Sequence, residues 1–118
     1  MAMSASCTIT NQTGSEIMIT QMGKVNDDAG FTAPSIGTKV SNGESFTISM
    51  GNDSFPIAPR GVGFNMGFID FGNQQLGSIY LDDPAVGAHQ FNYGNTPVFD
   101  YPTQNPGGNV YDIQIKVK

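Results

Sequence analysis

Arg60 is the single arginine of the sequence, set between Pro59 and Gly61 just before a strand-like stretch. A guanidinium can grip a phosphate or a carboxylate through two parallel bonds. With ten acidic residues in the chain, a surface pairing with one of them is the simpler reading of Arg60. Five of the acids fall in three loop clusters, Asp27-Asp28, Asn52-Asp53 and Asp82-Asp83. Ca²⁺ takes six to eight oxygens, but no cluster has the spacing of a calcium loop, and Asp and Asn are ordinary turn formers. No metal is expected.

The tyrosines are the second candidates. Tyr80, Tyr93 and Tyr101 cluster with Phe91 and Phe99 in the later half of the chain. Tyr joins an apolar ring to a polar tip, which suits a lipid headgroup, a sugar or a protein partner. Phe91 and Phe99 are expected in the core, while for the tyrosines core and surface readings stay open. The candidate ligand-binding residues are thus Arg60, Tyr80, Asp82, Asp83, Tyr93 and Tyr101.

Catalytic signatures are nearly absent. His89 is the only histidine and Cys7 the only cysteine, far apart in sequence. A Cys–His pair needs both within hydrogen-bond reach. No Ser sits in a nucleophile elbow, and no Gly-rich loop opens a helix. One His and one Cys do not build a tetrahedral zinc site. Hydrolysis by Asp70, Asp82 and Asp83 alone stays a formal alternative, although adjacent Asp82 and Asp83 on a strand would face opposite ways. The expectation is no enzyme and no cofactor.

These residues need a scaffold, and its pattern is β. Tyr111, Ile113, Ile115 and Val117 alternate with Asp112, Gln114, Lys116 and Lys118, which is the period of a half-buried strand. Cys7 and Ile9 alternate with Thr8 and Thr10, then Asn11-Gln12-Thr13-Gly14 supplies turn chemistry. Cys7 to Met22 therefore reads as a hairpin with a short loop. Residues 23–34 read as a loop, Ile36–Val40 as a short strand, and Phe46, Ile48 and Met50 as the face of another. Pro56 and Pro59 make 51–61 a surface connection.

From Gly63 to Phe71 the parity slips. Phe64, Met66 and Phe68 share one side, whereas Ile69 and Phe71 take the other. A bulge at Gly67 would explain this, and so would burial on both faces. Leu76–Leu81 is a strand that Asp82-Asp83-Pro84 ends, and Ala88–Tyr93 is another. Residues 94–108, with three prolines, read as a long loop or a set of turns. The expected fold is all-β, a single antiparallel sandwich of seven or eight short strands over 1–118, with 1–6 as a flexible tail.

Composition agrees. At 118 residues, with 15 Gly, 7 Pro and only 13% charged residues, the chain fits one turn-rich β domain. The net charge of −5 argues against nucleic acid and anionic membranes, which need a basic face. No stretch has the charged start and apolar run of a signal peptide or the length of a membrane span. The expected location is the cytoplasm as synthesised, with release or export by a non-classical route. One cysteine allows no internal disulfide.

The order of four segments resembles a known family. Ile9-Thr10-Asn11-Gln12-Thr13-Gly14 is similar to an opening strand that ends in an Asn-rich turn. Asn42-Gly43-Glu44-Ser45-Phe46-Thr47-Ile48 is similar to a Gly-turn leading into an aromatic-containing strand. Gly61 to Phe71 resembles a glycine-spaced strand ending near an acid, and Ile79-Tyr80-Leu81-Asp82-Asp83-Pro84 with Gly87 resembles the segment that follows it. In this order they resemble the aegerolysins, small acidic β-sandwich proteins of fungi and bacteria that bind membrane lipids. The related actinoporin-like sandwich fits more loosely. The chain departs from aegerolysins in having no Trp and in carrying Met50-Gly51-Asn52-Asp53 where a Gly-Arg pair is common.

The resemblance implies a sandwich that binds lipid, acting as the targeting half of a two-component cytolysin. Any pore would then need a larger pore-forming partner protein. In this reading Arg60 meets the phosphate, Tyr80 and Tyr93 line the headgroup site, and Asp82 or Asp83 pairs with a cationic end. The alternatives are a sugar-binding lectin using the loop Asn92-Tyr93-Gly94-Asn95, and a structural or self-assembling interaction protein.

Overall fold

Side-chain alternation decides each strand and which way it faces. In the C-terminal strand Tyr111, Ile113 and Ile115 are buried while Asp112, Gln114 and Lys116 are exposed. The computed structural model describes residues 2–25, 30–53, 61–84 and 88–118, and every regular element among them is a strand. In chain order these are β1 (Ala2–Gln12), β2 (Ile17–Lys24), β3 (Lys39–Val40), β4 (Ser45–Asp53), β5 (Val62–Asp70), β6 (Gln75–Asp83), β7 (Gln90–Gly94), β8 (Phe99–Asp100), β9 (Thr103–Gly107) and β10 (Val110–Val117). No helix among the described residues is long and apolar enough to cross a membrane.

The strands form two five-stranded sheets. One runs β4-β1-β10-β8 with β9 also on β10, and the other runs β3-β2-β5-β6-β7. Cys7, Ile9, Ile48, Met50, Ile113 and Ile115 from the first sheet share one core with Ile17, Ile19, Phe64, Met66, Phe68, Ile79 and Leu81 from the second. Fully burying a side chain of this size contributes about 1.5–3 kcal/mol. The architecture is a β-sandwich.

Several expectations change in detail. The described residues contain ten strands rather than seven or eight, the additions being β8 and β9. The pairing is not wholly antiparallel: β1 and β10 run parallel, with Cys7 opposite Tyr111 and Ile9 opposite Ile113. Residues 2–6 are not a tail, since Ala2 to Ser6 pair with Asp53 to Ser49 on β4. Within 94–108, expected as loop, β8 and β9 both find hydrogen-bond partners on β10.

Cys7–Met22 is not a hairpin either, because β1 and β2 lie in different sheets. The turn between them carries the chain across the sandwich. The Asn11 side chain is fully buried there; its amide donates to Ser15 O at 2.8 Å and Val40 O at 2.9 Å. Its carbonyl oxygen accepts from Thr13 N and Oγ1. Four bonds to one amide hold the crossover and leave no polar atom of that side chain unpaired.

β5 itself keeps its parity: Phe64, Met66 and Phe68 are buried, while Ile69 and Phe71 turn to the outer face, so neither a bulge at Gly67 nor burial on both faces accounts for them. β5 and β6 keep an unbroken register from Val62 opposite Asp83 to Asp70 opposite Gln75. An irregularity lies instead in the neighbouring strand, between Ile19 and Gln21 of β2. Gly67 faces that bulge, and a Cβ there would come within 3.0 Å of Thr20 Oγ1.

Candidate ligand-binding face

Strand parity divides the candidate residues into two groups. On β6 the inward positions are Ile79, Leu81 and Asp83, all buried, while Tyr80 and Asp82 face outward and stay partly exposed. The adjacent carboxylates therefore serve different surroundings. Arg60 lies outside the described residues, as do Asp27-Asp28 and the side chains of Asn52-Asp53.

Asp83 belongs to the interior. It is 6% exposed and accepts a 2.9 Å hydrogen bond from the Tyr111 hydroxyl. Burial holds the Tyr111 phenol well above the usual tyrosine range, and the bond to Asp83 and its charge push the same way. A proton on Tyr111 is what lets a carboxylate sit there with a donor.

Tyr93 and Tyr101 also face inward. Their rings stack 4.7 Å apart, and Phe91 stacks on Tyr93 at 5.7 Å. The Tyr101 hydroxyl donates to Gly94 O at 2.7 Å, and Tyr93 shares a hydrogen bond with Thr103 Oγ1. Both polar tips are already used inside the protein. Burial raises the Tyr93 phenol and pushes Tyr101 up to about 12. This aromatic row closes the gap between β7, at the edge of one sheet, and β8 and β9 of the other. The structure thus separates Asp83, Tyr93 and Tyr101 from Tyr80 and Asp82.

Tyr80 keeps a different company. Across the outer face it lies opposite Asn65 of β5 on one side and Asn92 of β7 on the other. Asp82, two residues on, lies opposite Gln90. Directly opposite side chains on neighbouring strands have Cβ atoms about 5 Å apart, so these five form one continuous patch. Asn65, Gln90 and Asn92 join it only through register, a long-range property with no local sequence signal. Asn95 lies beyond the end of β7, with its side-chain amide on Leu76 O at 2.7 Å.

The residues weighed for catalysis are placed as follows. Asp70 lies at the opposite end of the β5–β6 hairpin from Asp82 and Asp83, roughly 25 Å away at strand rise. Cys7 is fully buried, and burial, helped by the Asp112 charge, pushes its thiol up to about 12. Such a thiol is no nucleophile at neutral pH. His89 is exposed, its ring edge-on to Tyr111 at 5.0 Å and Phe91 at 5.6 Å. Among the described residues no group of three His, Cys, Asp or Glu side chains is placed to hold a metal ion.

Asp70 has a structural task instead. Fully buried, it accepts from Ser15 Oγ at 2.5 Å, Gly72 N at 3.0 Å and Asn73 Nδ2 at 2.6 Å. It ties the β5–β6 turn to the β1–β2 crossover. Asp70→Ala strands these donors and is expected to cost about 2–4 kcal/mol, because bonds to a charged acceptor are the strong ones. Urea denaturation measures this; a loss below about 0.5 kcal/mol, the range of ordinary surface changes, would mean the network is dispensable.

No family model matches the sequence, and no curated protein matches it. Among solved structures, the crystal structure of IP-1A from Alcaligenes faecalis superposes with a TM-score of 0.68. The match covers 98% of this chain and 91% of that one, at 15% sequence identity. At this identity the likeness shows a shared all-β fold and nothing finer. The motif-order resemblance to aegerolysins has no family model behind it.

Proposed function

We propose that the chain is a non-catalytic binding module for zwitterionic lipid headgroups, with Tyr80 and Asp82 as its headgroup contacts. The observation that carries this reading is the placement of an aromatic ring and a carboxylate two residues apart on the exposed side of one strand. Strand rise separates them by roughly 7 Å. An alkylammonium group is attracted by an aromatic face and by a carboxylate together. Strands β5, β6 and β7 contain no Lys or Arg, so nothing cationic on them competes for that site. The amides of Asn65, Asn92 and Gln90 offer donors to the phosphate and glycerol oxygens. In a two-component arrangement this chain would be the targeting part and a larger protein the pore former.

Co-sedimentation with vesicles of phosphatidylcholine, phosphatidylethanolamine, sphingomyelin and anionic lipids tests the reading. Binding to a zwitterionic composition is expected, weakened roughly tenfold by Tyr80→Ala or Asp82→Asn, the loss of one charge-assisted or cation–π contact. Absence of binding across the panel would sink the proposal. The row Asn65–Tyr80–Asn92 also favours a second reading, a sugar laid on the ring between two amides. A glycan array that responds to Tyr80→Ala while vesicles do not bind would select it.

A further inference from the structure

The outer face that carries Tyr80 and Asp82 becomes apolar toward the β5–β6 turn. Met18 of β2 lies opposite Ile69 of β5, and Ile69 lies opposite Leu76 of β6. Leu76 is 61% exposed, and Phe71, just past the end of β5, is 43% exposed. Between Phe71 and Leu76 stand only Gly72, Asn73, Gln74 and Gln75, so the turn is polar but uncharged. Asp70 of β5 is buried with its oxygens bonded, and the exposed Glu16, whose backbone carbonyl accepts from Phe71 N at 3.1 Å, marks the charged rim of the row at that end. Lys39 of β3, opposite Met18, ends the row.

We infer that this Met18–Ile69–Phe71–Leu76 patch is the surface by which the domain enters the interface of a neutral, zwitterionic lipid layer. The inference rests on the lipid reading above and gives it an orientation. On β6 Leu76, Ser78, Tyr80 and Asp82 share one side, so a face-on approach brings the apolar end and the Tyr80–Asp82 end to the surface together. Leu76 and Phe71 reach the acyl boundary, and the Lys39 stem can lie along the apolar surface while its ammonium meets phosphate.

Area and charge favour lipid over a second copy of the chain. Leu76 and Phe71 leave roughly 200 Å² of mostly apolar surface in water, whereas a stable protein interface covers about 800 Å² on each partner. Two copies each bearing a net charge of −5 also repel one another. Anionic lipid is disfavoured by that same charge.

The sequence contains no Trp, so Phe71→Trp creates a single fluorescent reporter on the patch. Val110→Trp, at a position 45% exposed on the other sheet, serves as control. With vesicles of phosphatidylcholine carrying brominated acyl chains, the indole of the Phe71→Trp variant is expected to shift to the blue and be quenched. The indole of the Val110→Trp variant is expected to do neither. Vesicle affinity should fall roughly tenfold for each of Phe71→Ser and Leu76→Ser, because each removes about 100 Å² of inserted apolar area of which part is buried. Vesicle binding with the Phe71→Trp reporter unquenched, or unchanged affinity in the Phe71→Ser/Leu76→Ser variant, overturns the patch and leaves the headgroup reading standing. Absence of vesicle binding by the parent chain overturns both. A blue shift of the Phe71→Trp reporter that grows with protein concentration in the absence of lipid overturns the inference in favour of a second copy.

Discussion

Raising the pH should unfold the domain between about pH 9 and pH 12, through Cys7, Tyr101 and Tyr111 acting together. All three are 7% exposed or less. Burial is the first cause of the shift in each, pushing Cys7 and Tyr101 up to about 12 and Tyr111 well above its ordinary range. Each group is neutral when protonated, and the fold holds its proton more tightly than the unfolded chain does. Their contribution is therefore complete below the unfolded values, near 9 for the thiol and near 10 for the phenols. It is lost as pH climbs toward and through the folded values. Every group that ionises only on unfolding costs about 1.4 kcal/mol per pH unit. With solvent screening of the phenols allowed for, the three together remove on the order of 5–10 kcal/mol by about pH 12, comparable with the whole stability of a small domain. Tyrosinate absorbance followed beside far-ultraviolet circular dichroism checks this. The phenols of Tyr101 and Tyr111 should ionise in the same step that abolishes the β signal. Smooth ionisation of every tyrosine near about pH 10, the unperturbed value, with the sheet signal intact would refute it.

The same residues show what the sequence discloses and what it hides. Alternation in Tyr111–Val117 and in Cys7–Thr10 is local, and it marks both strands and their inward faces correctly, apart from Val117, which is exposed at the strand's end. The partnership of those two strands is invisible, because β1 and β10 pair in parallel across nearly the whole chain length. The Asn11–Ser15 turn looks like a hairpin because turn chemistry is the same whether the chain returns to its own sheet or crosses to the other. What distinguishes the two is long-range, the pairing of β1 and β2 in different sheets and the Asn11 amide's bond to Val40 O, distant in sequence. Parity is visible at Asp82-Asp83 and correctly sets the two carboxylates apart. It does not show that Tyr93 and Tyr101 lean into the sandwich, since that depends on which edges meet. Nor does it show that Leu76 and Phe71 remain exposed, because alternation reveals that faces differ without revealing which one a second sheet covers.

Phe68→Ala should be among the most destabilising single changes in the core, costing about 3–5 kcal/mol. Phe68 is fully buried on β5, and its ring meets Phe99 edge-on at 5.1 Å and Tyr101 at 6.4 Å. Directly across on β6 lies Gly77. A Cβ at Gly77 would collide with the Phe68 ring and approach the Tyr101 hydroxyl to 2.8 Å. The glycine thus makes room for the ring, and the ring covers backbone that a glycine leaves bare. Gly77→Ala in the parent should cost about 1–3 kcal/mol through overpacking. In the Phe68→Ala background the same methyl enters space the ring has vacated, and the ring's share of the cost should disappear, leaving only the approach to the Tyr101 hydroxyl. Urea denaturation of the two single variants and the double variant measures the coupling, expected at about 1–3 kcal/mol and opposite in sign to the single losses. Additive losses would show that the ring and the glycine are accommodated independently. The fit between them would then have no part in joining the β5–β6 pair to the aromatic row beneath it.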